Sequence, residues 1–384
     1  MLPAVRDTLR DVDYALTSGR HPRCHDVGVT EFVPADADAD GLERVRGQIW
    51  RNGEAVEGFE LDRLSTCLED DETLAWADLE CPSHETLAHV AAQLDLDPFA
   101  VEDSVAASER VKTVSYAGHT FFMVYAVSLR DDADEADAGA QRESSGAPYA
   151  RARLFDLHRI SIFVKRNVLV TVRLTPDFQM EEVRRRWAAS DAMQYGIGAL
   201  LHGLLDVVAD GHFEAVQRLD DEIEDLEGLL FDERVSGREL QRRTYDLRRD
   251  LVILRRVVFP MREIIAAIQR RRFVNHAPPE LDPHFSDLYD HALHATEWIE
   301  SLRDMITTVF ETNLTLADAR LNTVMKKLTG WAAIIAVPTL ITGFYGENVP
   351  FPGAYETSGF VTSVVLIVLV VVILYISFRR RDWL

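Results

Sequence analysis

The spacing of apolar positions changes twice along this chain, and the changes divide it into three. Over residues 1–200 the apolar positions come in short runs. Those at Leu74–Glu80, His119–Leu129, Arg159–Val164 and Val168–Leu174 are rich in β-branched and aromatic residues and predict strands. Helical patterns at Ser83–Leu94 and Pro98–Ala107 alternate with them, so this part reads as an α/β domain. From about Asp191 the period lengthens, and apolar residues recur at spacings of three and four from Ile197 to Leu230. Ser236-Gly237-Arg238-Glu239 has the form of a capping box and predicts a new helix. That helix is expected to run to about Arg272, with a kink at Pro260, and to end at Asn275–Pro279. A last helix starts near Pro283 and meets no further proline until Pro338. Continued to Tyr345 it would extend on the order of 90 Å. That is too long for a compact domain, so residues 201–324 read as long helices and a stalk.

Two stretches carry no charged side chain: Leu328–Tyr345, 18 residues, and Gly359–Phe378, 20 residues. A bilayer core of roughly 30 Å takes about 20 helical residues. Residues 325–384 therefore read as two transmembrane helices joined by a short external loop. Lys326 and Lys327 stand just before the first span, and Arg379–Arg381 just after the second. The loop between them has acids and no Lys or Arg, which puts both termini in the cytosol and makes the chain multi-pass in the cell membrane. The N-terminal MLPAVRDTLR lacks the apolar core of a signal peptide.

A second pattern runs through the last helix. Positions spaced three and four apart, from Ser301 through Asp304, Thr308, Glu311, Thr315 and Asp318 to Asn322, are polar or acidic. The same register continues into the span as Met325, Thr329, Ala332, Ala336, Thr339 and Gly343, mostly small. A coiled-coil seam wants apolar residues there. A polar seam that turns small inside the membrane instead leaves room for water or ions. Met325, with Leu328 one turn on, offers an apolar constriction that closes by dewetting. One chain supplies one such helix, so a central passage needs a closed ring of identical copies.

Charge narrows the partners. The formal net charge is −22, and only three of 63 acids and five of 41 basic residues lie beyond residue 324. So acidic a cytosolic part disfavours nucleic acid. It either favours cations or, with only four lysines, reflects a high-salt cytoplasm. Three cysteines form no paired framework, as in a reducing compartment. His21, Cys24 and His25 lack a fourth ligand and read as incidental. No P-loop, nucleophile motif or HExxH is present, so an enzyme is not expected.

Asn322–Thr329, Gly346-Glu347-Asn348 and Phe378–Leu384, set around two C-terminal spans, resemble the CorA family of magnesium transporters. Pro98–Asp103, Leu219–Ile223 and Asp287–His291 support the resemblance more weakly. It covers most of the chain, most strongly from Pro283 on. It implies a CorA-like fold and a homopentamer in membrane lipid that passes Mg²⁺, often also Co²⁺ and Ni²⁺. Gly346, Glu347 and Asn348 would form the outer mouth. The family's cytosolic regulatory divalent site maps onto Asp103 and Asp287, with Glu102 as a helper, so Mg²⁺ would be both cargo and regulator. The family usually has Met where Glu347 stands. If Glu347 faces the pore, a carboxylate ring raises cation affinity. If it faces outward, it only concentrates cations. Zinc-transporting relatives share the architecture, so a Zn²⁺ transporter is the alternative. A membrane-tethered sensor or scaffold would need neither the in-phase stripe nor Asn348.

Overall fold

The computed structural model describes residues 44–106, 109–130, 154–175, 178, 180–189, 194–232, 234–270, 278–346, 356–381 and 383. The chain divides into two compact units, Met1–Asp225 with Tyr245–Ile306, and Leu226–Thr244 with Thr307–Leu384.

The first unit is built on a seven-stranded sheet among the described residues. Its strands are β1 (Arg44–Arg51), β2 (Glu54–Val56), β3 (Thr73–Glu80), β4 (Lys112–Ser115), β5 (Thr120–Leu129), β6 (Phe155–Lys165) and β7 (Val168–Arg173). They lie in the order β2-β1-β3-β7-β6-β5-β4, and only β3 and β7 run parallel. The β1–β2 hairpin closes at Asn52-Gly53, with φ of 52° and 83°. That left-handed pair suits the twist of two-residue hairpins and favours Asn-Gly.

Side chains alternate across the sheet, and both faces are covered. Phe121, Met123, Val168, Val170 and Val172 pack with Leu64 and Cys67 of α1 (Leu64–Glu69), Leu87 and Val90 of α2 (His84–Gln93), and Ala100 of α3 (Pro98–Val105). Phe122, Val124, Ile160, Ile162 and Leu169 face the other way. They pack with Trp187 of α4 (Glu181–Ala189), Leu201, Leu204 and Leu205 of α5 (Gly196–Leu229), Ile264 and Ile265 of α6 (Gly237–Arg270), and Phe285 and Leu288 of α7 (Asp282–Gly346). Burying a side chain of this size stabilises by about 1.5–3 kcal/mol, so this double core is the main support of the unit. At Gly211 of α5 a Cβ would stand 2.5 Å from Val127 O of β5, so only hydrogen fits there.

Local signals fix the helix ends. Ser83 Oγ accepts from the Thr86 N–H at 3.2 Å, and Asp97 Oδ1 from the Phe99 N–H at 2.9 Å, with Pro98 in the first turn of α3. Ser236 Oγ accepts from the Glu239 N–H at 3.1 Å. The Glu239 carboxylate pairs forward with Arg243 at 3.2 Å, so half of the predicted capping box forms. Helix α6 is continuous through Pro260, and α7 starts at Asp282, one residue ahead of the expected Pro283.

Two buried polar groups are notable. Arg173 on β7 has a side chain only 2% exposed; its guanidinium donates to Asp78 at 3.1 and 2.8 Å, to Glu80 at 3.0 Å and to Phe178 O at 2.7 Å. Burial acts against its charge, but the two carboxylates outweigh it and hold the pKa above the ordinary arginine value. His212 on α5 is buried, and its Nε2–H donates to Tyr125 O at 2.7 Å. Burial pushes its pKa down to about 4, against the opposing pull of that hydrogen bond.

In the second unit the remainder of α7 leads into the predicted first span, and α8 (Thr357–Arg380) follows as the second. Large apolar side chains stay exposed there, Leu340 at 74% and Phe360 at 71% among them. Such surface on both helices calls for lipid or further protein to cover it. Trp383 folds back after α8: its backbone N–H donates to Phe378 O at 3.0 Å and the two rings stack.

Candidate cation pathway and acidic site

Helix α7 is one uninterrupted element of 65 residues, and it carries both halves of the polar stripe. Asn322, Met325, Ala332, Ala336, Thr339 and Gly343 share one register and are exposed in the single chain, and so is Leu328, one turn on from Met325. Thr339 Oγ donates its proton to Ile335 O at 3.0 Å. Its lone pairs remain free to accept, which suits the hydrogens of a hydrated cation. A Cβ at Gly343 would meet nothing within 4 Å, so nothing in the described chain itself demands glycine there. Gly346 is the last residue of α7; Glu347 and Asn348 lie outside the described residues, as do His21, Cys24 and His25.

The expected regulatory acids lie on two elements of the first unit. Glu102 and Asp103 are on α3, and Asp287 is on the first turns of α7. No hydrogen bond or ion pair among the described residues joins Asp287 to the α3 pair. Asp287 is 72% exposed and lies 3.9 Å from His291 one turn on; Glu102 is also exposed. No group of three His, Cys, Asp or Glu among the described residues could enclose a metal.

Asp103 has a partner that the sequence reading missed. Lys112 Nζ, at the start of β4, sits 2.8 Å from Asp103 Oδ2 and 2.8 Å from Glu109 Oε2. All three side chains are about a quarter exposed. Burial works to lower the lysine's pKa, but the two carboxylates prevail and raise it, so the ammonium is charged at neutral pH. The surroundings hold this bridge in place. Tyr125 Oη donates to Glu109 O at 2.8 Å, and the Arg159 guanidinium donates to Ser104 O at 3.3 Å and also to Ala106 O, at the end of α3. The available signal was scarcity: Lys112 is one of four lysines in 384 residues.

The family described as CorA-like Mg²⁺ transporter protein matches residues 71–380. The cobalt/magnesium transport protein CorA of Thermotoga maritima is 30% identical over 190 residues, 48% of this chain and 52% of that one. The zinc transport protein ZntB of Yersinia enterocolitica is 23% identical over 359 residues, 89% of this chain and 100% of that one. The solved structure of the CorA magnesium transporter from Methanocaldococcus jannaschii superposes with a TM-score of 0.66 at 21% identity, covering 88% of this chain and 98% of that one. The fold is thus CorA-like: an N-terminal α/β sheet domain, long helices and two C-terminal apolar helices.

Proposed function

Because the chain belongs to the CorA-like Mg²⁺ transporter family, and is therefore a divalent-cation transporter and not an enzyme, we propose that it conducts Mg²⁺ along α7, at the axis of a homopentamer in the cell membrane. Both termini lie in the cytosol, and Co²⁺ and Ni²⁺ follow the same path. The observation that carries this reading is the stripe from Ser301 to Gly343, exposed in the single chain and in phase from its polar to its small half.

In this reading Gly346, Glu347 and Asn348 form the mouth. Mg²⁺ gives up water reluctantly and demands octahedral geometry. A ring of neutral Asn348 amides binds it through its water shell, weakly enough for release. Glu347 adds a carboxylate that raises cation occupancy there. Thr339 accepts from the hydrated ion further in, and Met325 with Leu328 forms the dewetting constriction. On the cytosolic side Asp103 and Asp287, with Glu102, hold a regulatory Mg²⁺ across a subunit boundary. That ion biases the gate only through its different affinity for the closed and open states. Zn²⁺ is the second reading, supported by the ZntB relative that this chain matches over nearly its whole length.

Full-length protein in proteoliposomes, offered Mg²⁺, Co²⁺, Ni²⁺ and Zn²⁺ in turn, tests both. Saturable Mg²⁺ entry is expected, and Asn348→Ala should abolish it while the oligomer stays intact on size exclusion. Zn²⁺ entry without Mg²⁺ entry would select the second reading. Normal Mg²⁺ uptake by a folded Asn348→Ala protein would overturn the mouth.

A further inference from the structure

We propose that Lys112 is a tethered counter-cation that competes with the divalent ion for Asp103, and so sets the concentration at which the regulatory site fills. The inference rests on the reading of Asp103 as a regulatory ligand. Its basis is the bridge itself. Lys112 Nζ stands 2.8 Å from one oxygen of Asp103 and 2.8 Å from one of Glu109, both at the length of a charge-assisted hydrogen bond. The ammonium thus already neutralises part of the negative charge that a divalent ion would otherwise meet.

A divalent ion bound directly by a carboxylate sits about 2.0–2.6 Å from its oxygen. An ion on Asp103 would therefore lie within a few ångströms of Nζ, and the two cations would repel. Filling the site means weakening the Lys112–Asp103 contact and transferring the ammonium towards Glu109. Glu109 is the retreat for the lysine: its backbone carbonyl is fixed by Tyr125, and its carboxylate is already in contact. Lys112 starts β4 at the sheet edge and Asp103 lies on α3, and the exchange moves Nζ between two carboxylates that it already contacts.

Competition for Asp103 and a purely structural salt bridge require different signs. Lys112→Met removes the competitor and should lower the Mg²⁺ concentration that half-fills the site. Glu109→Gln removes the lysine's second partner, leaves the ammonium to Asp103, and should raise that concentration. A structural bridge would be broken by either change, and both would then shift the response in the same direction. An exposed pair is worth up to about fivefold in an equilibrium constant, and a doubly charged ion feels the lysine more strongly. Shifts of about fivefold in opposite directions are expected. Lys112→Arg, which keeps the charge, should stay near wild type.

The experiment is Mg²⁺-dependent protection of the full-length protein from chymotrypsin, which does not cut at the mutated lysine. Wild type, Asp103→Asn, Lys112→Met, Lys112→Arg and Glu109→Gln are titrated in parallel. If Asp103→Asn keeps the wild-type response, the regulatory site itself is misassigned. If Asp103→Asn loses it while Lys112→Met and Glu109→Gln shift together or not at all, the site stands and the competition is refuted.

Discussion

Acid should destabilise this protein through His212 before most of its carboxylates are protonated. The imidazole is buried between α5 and β5, with its Nε2–H donated to Tyr125 O at 2.7 Å. Its pKa falls from 6.5 to about 4 on folding because burial penalises the charged ring. The unfolded chain therefore binds a proton that the folded chain refuses. Stability from this group is full above pH 6.5 and is lost as the pH drops towards 4. The slope reaches about 1.4 kcal/mol per pH unit, so the whole window is worth about 3 kcal/mol. His212→Gln keeps a donor for Tyr125 O and removes the titration. Guanidinium unfolding of the full chain in detergent, followed by tryptophan fluorescence from pH 7.5 to 4, measures the difference. Carboxylate effects common to both proteins cancel. The wild type should lose about 3 kcal/mol more than the variant across this range. Parallel pH curves for the two proteins would refute the argument.

Two further outcomes follow from the sheet domain. Arg173→Met removes the buried cation between Asp78 and Glu80, leaving them only the longer cationic contacts to Arg184 at 3.9 Å and Arg44 at 3.5 Å, and should cost up to about 3–5 kcal/mol; adding Asp78→Asn should restore part of the melting temperature, and a double variant no more stable than the single one would contradict the pairing. Gly211→Ala forces a methyl against Val127 O, so despite alanine's helix preference it should cost about 1–3 kcal/mol, read as a lower unfolding midpoint at unchanged Mg²⁺ flux.

The parts of the fold legible in the sequence are those where burial repeats at one period. β3, β5, β6 and β7 are largely buried runs, and their β-branched and aromatic residues announce them. The three–four spacing from Ile197 to Leu230 became α5, and Ser236 opened α6 as its hydroxyl suggested. β1 and β4 were missed for a physical reason. β1 begins and ends with arginine and buries only Ile49 and Trp50, and β4 has four residues with none buried. Their places are set by pairing with neighbours, which no local pattern encodes, although Asn52-Gly53 did carry a hairpin signal. The candidate site divides in the same way. The α7 stripe is a periodic feature and could be read. The Lys112 bridge joins β4 to an acid of α3 and to Glu109 between them, and spacing alone does not reveal which acids a lysine will reach.

The two ends of the sheet also bear on how copies of this chain meet. β2 offers three residues and β4 four, and β4 opens with Lys112 one residue after Val111 and two after Arg110. Edges this short are poor templates for a further strand. Among the described strands, the two edges therefore offer another sheet little backbone to pair with.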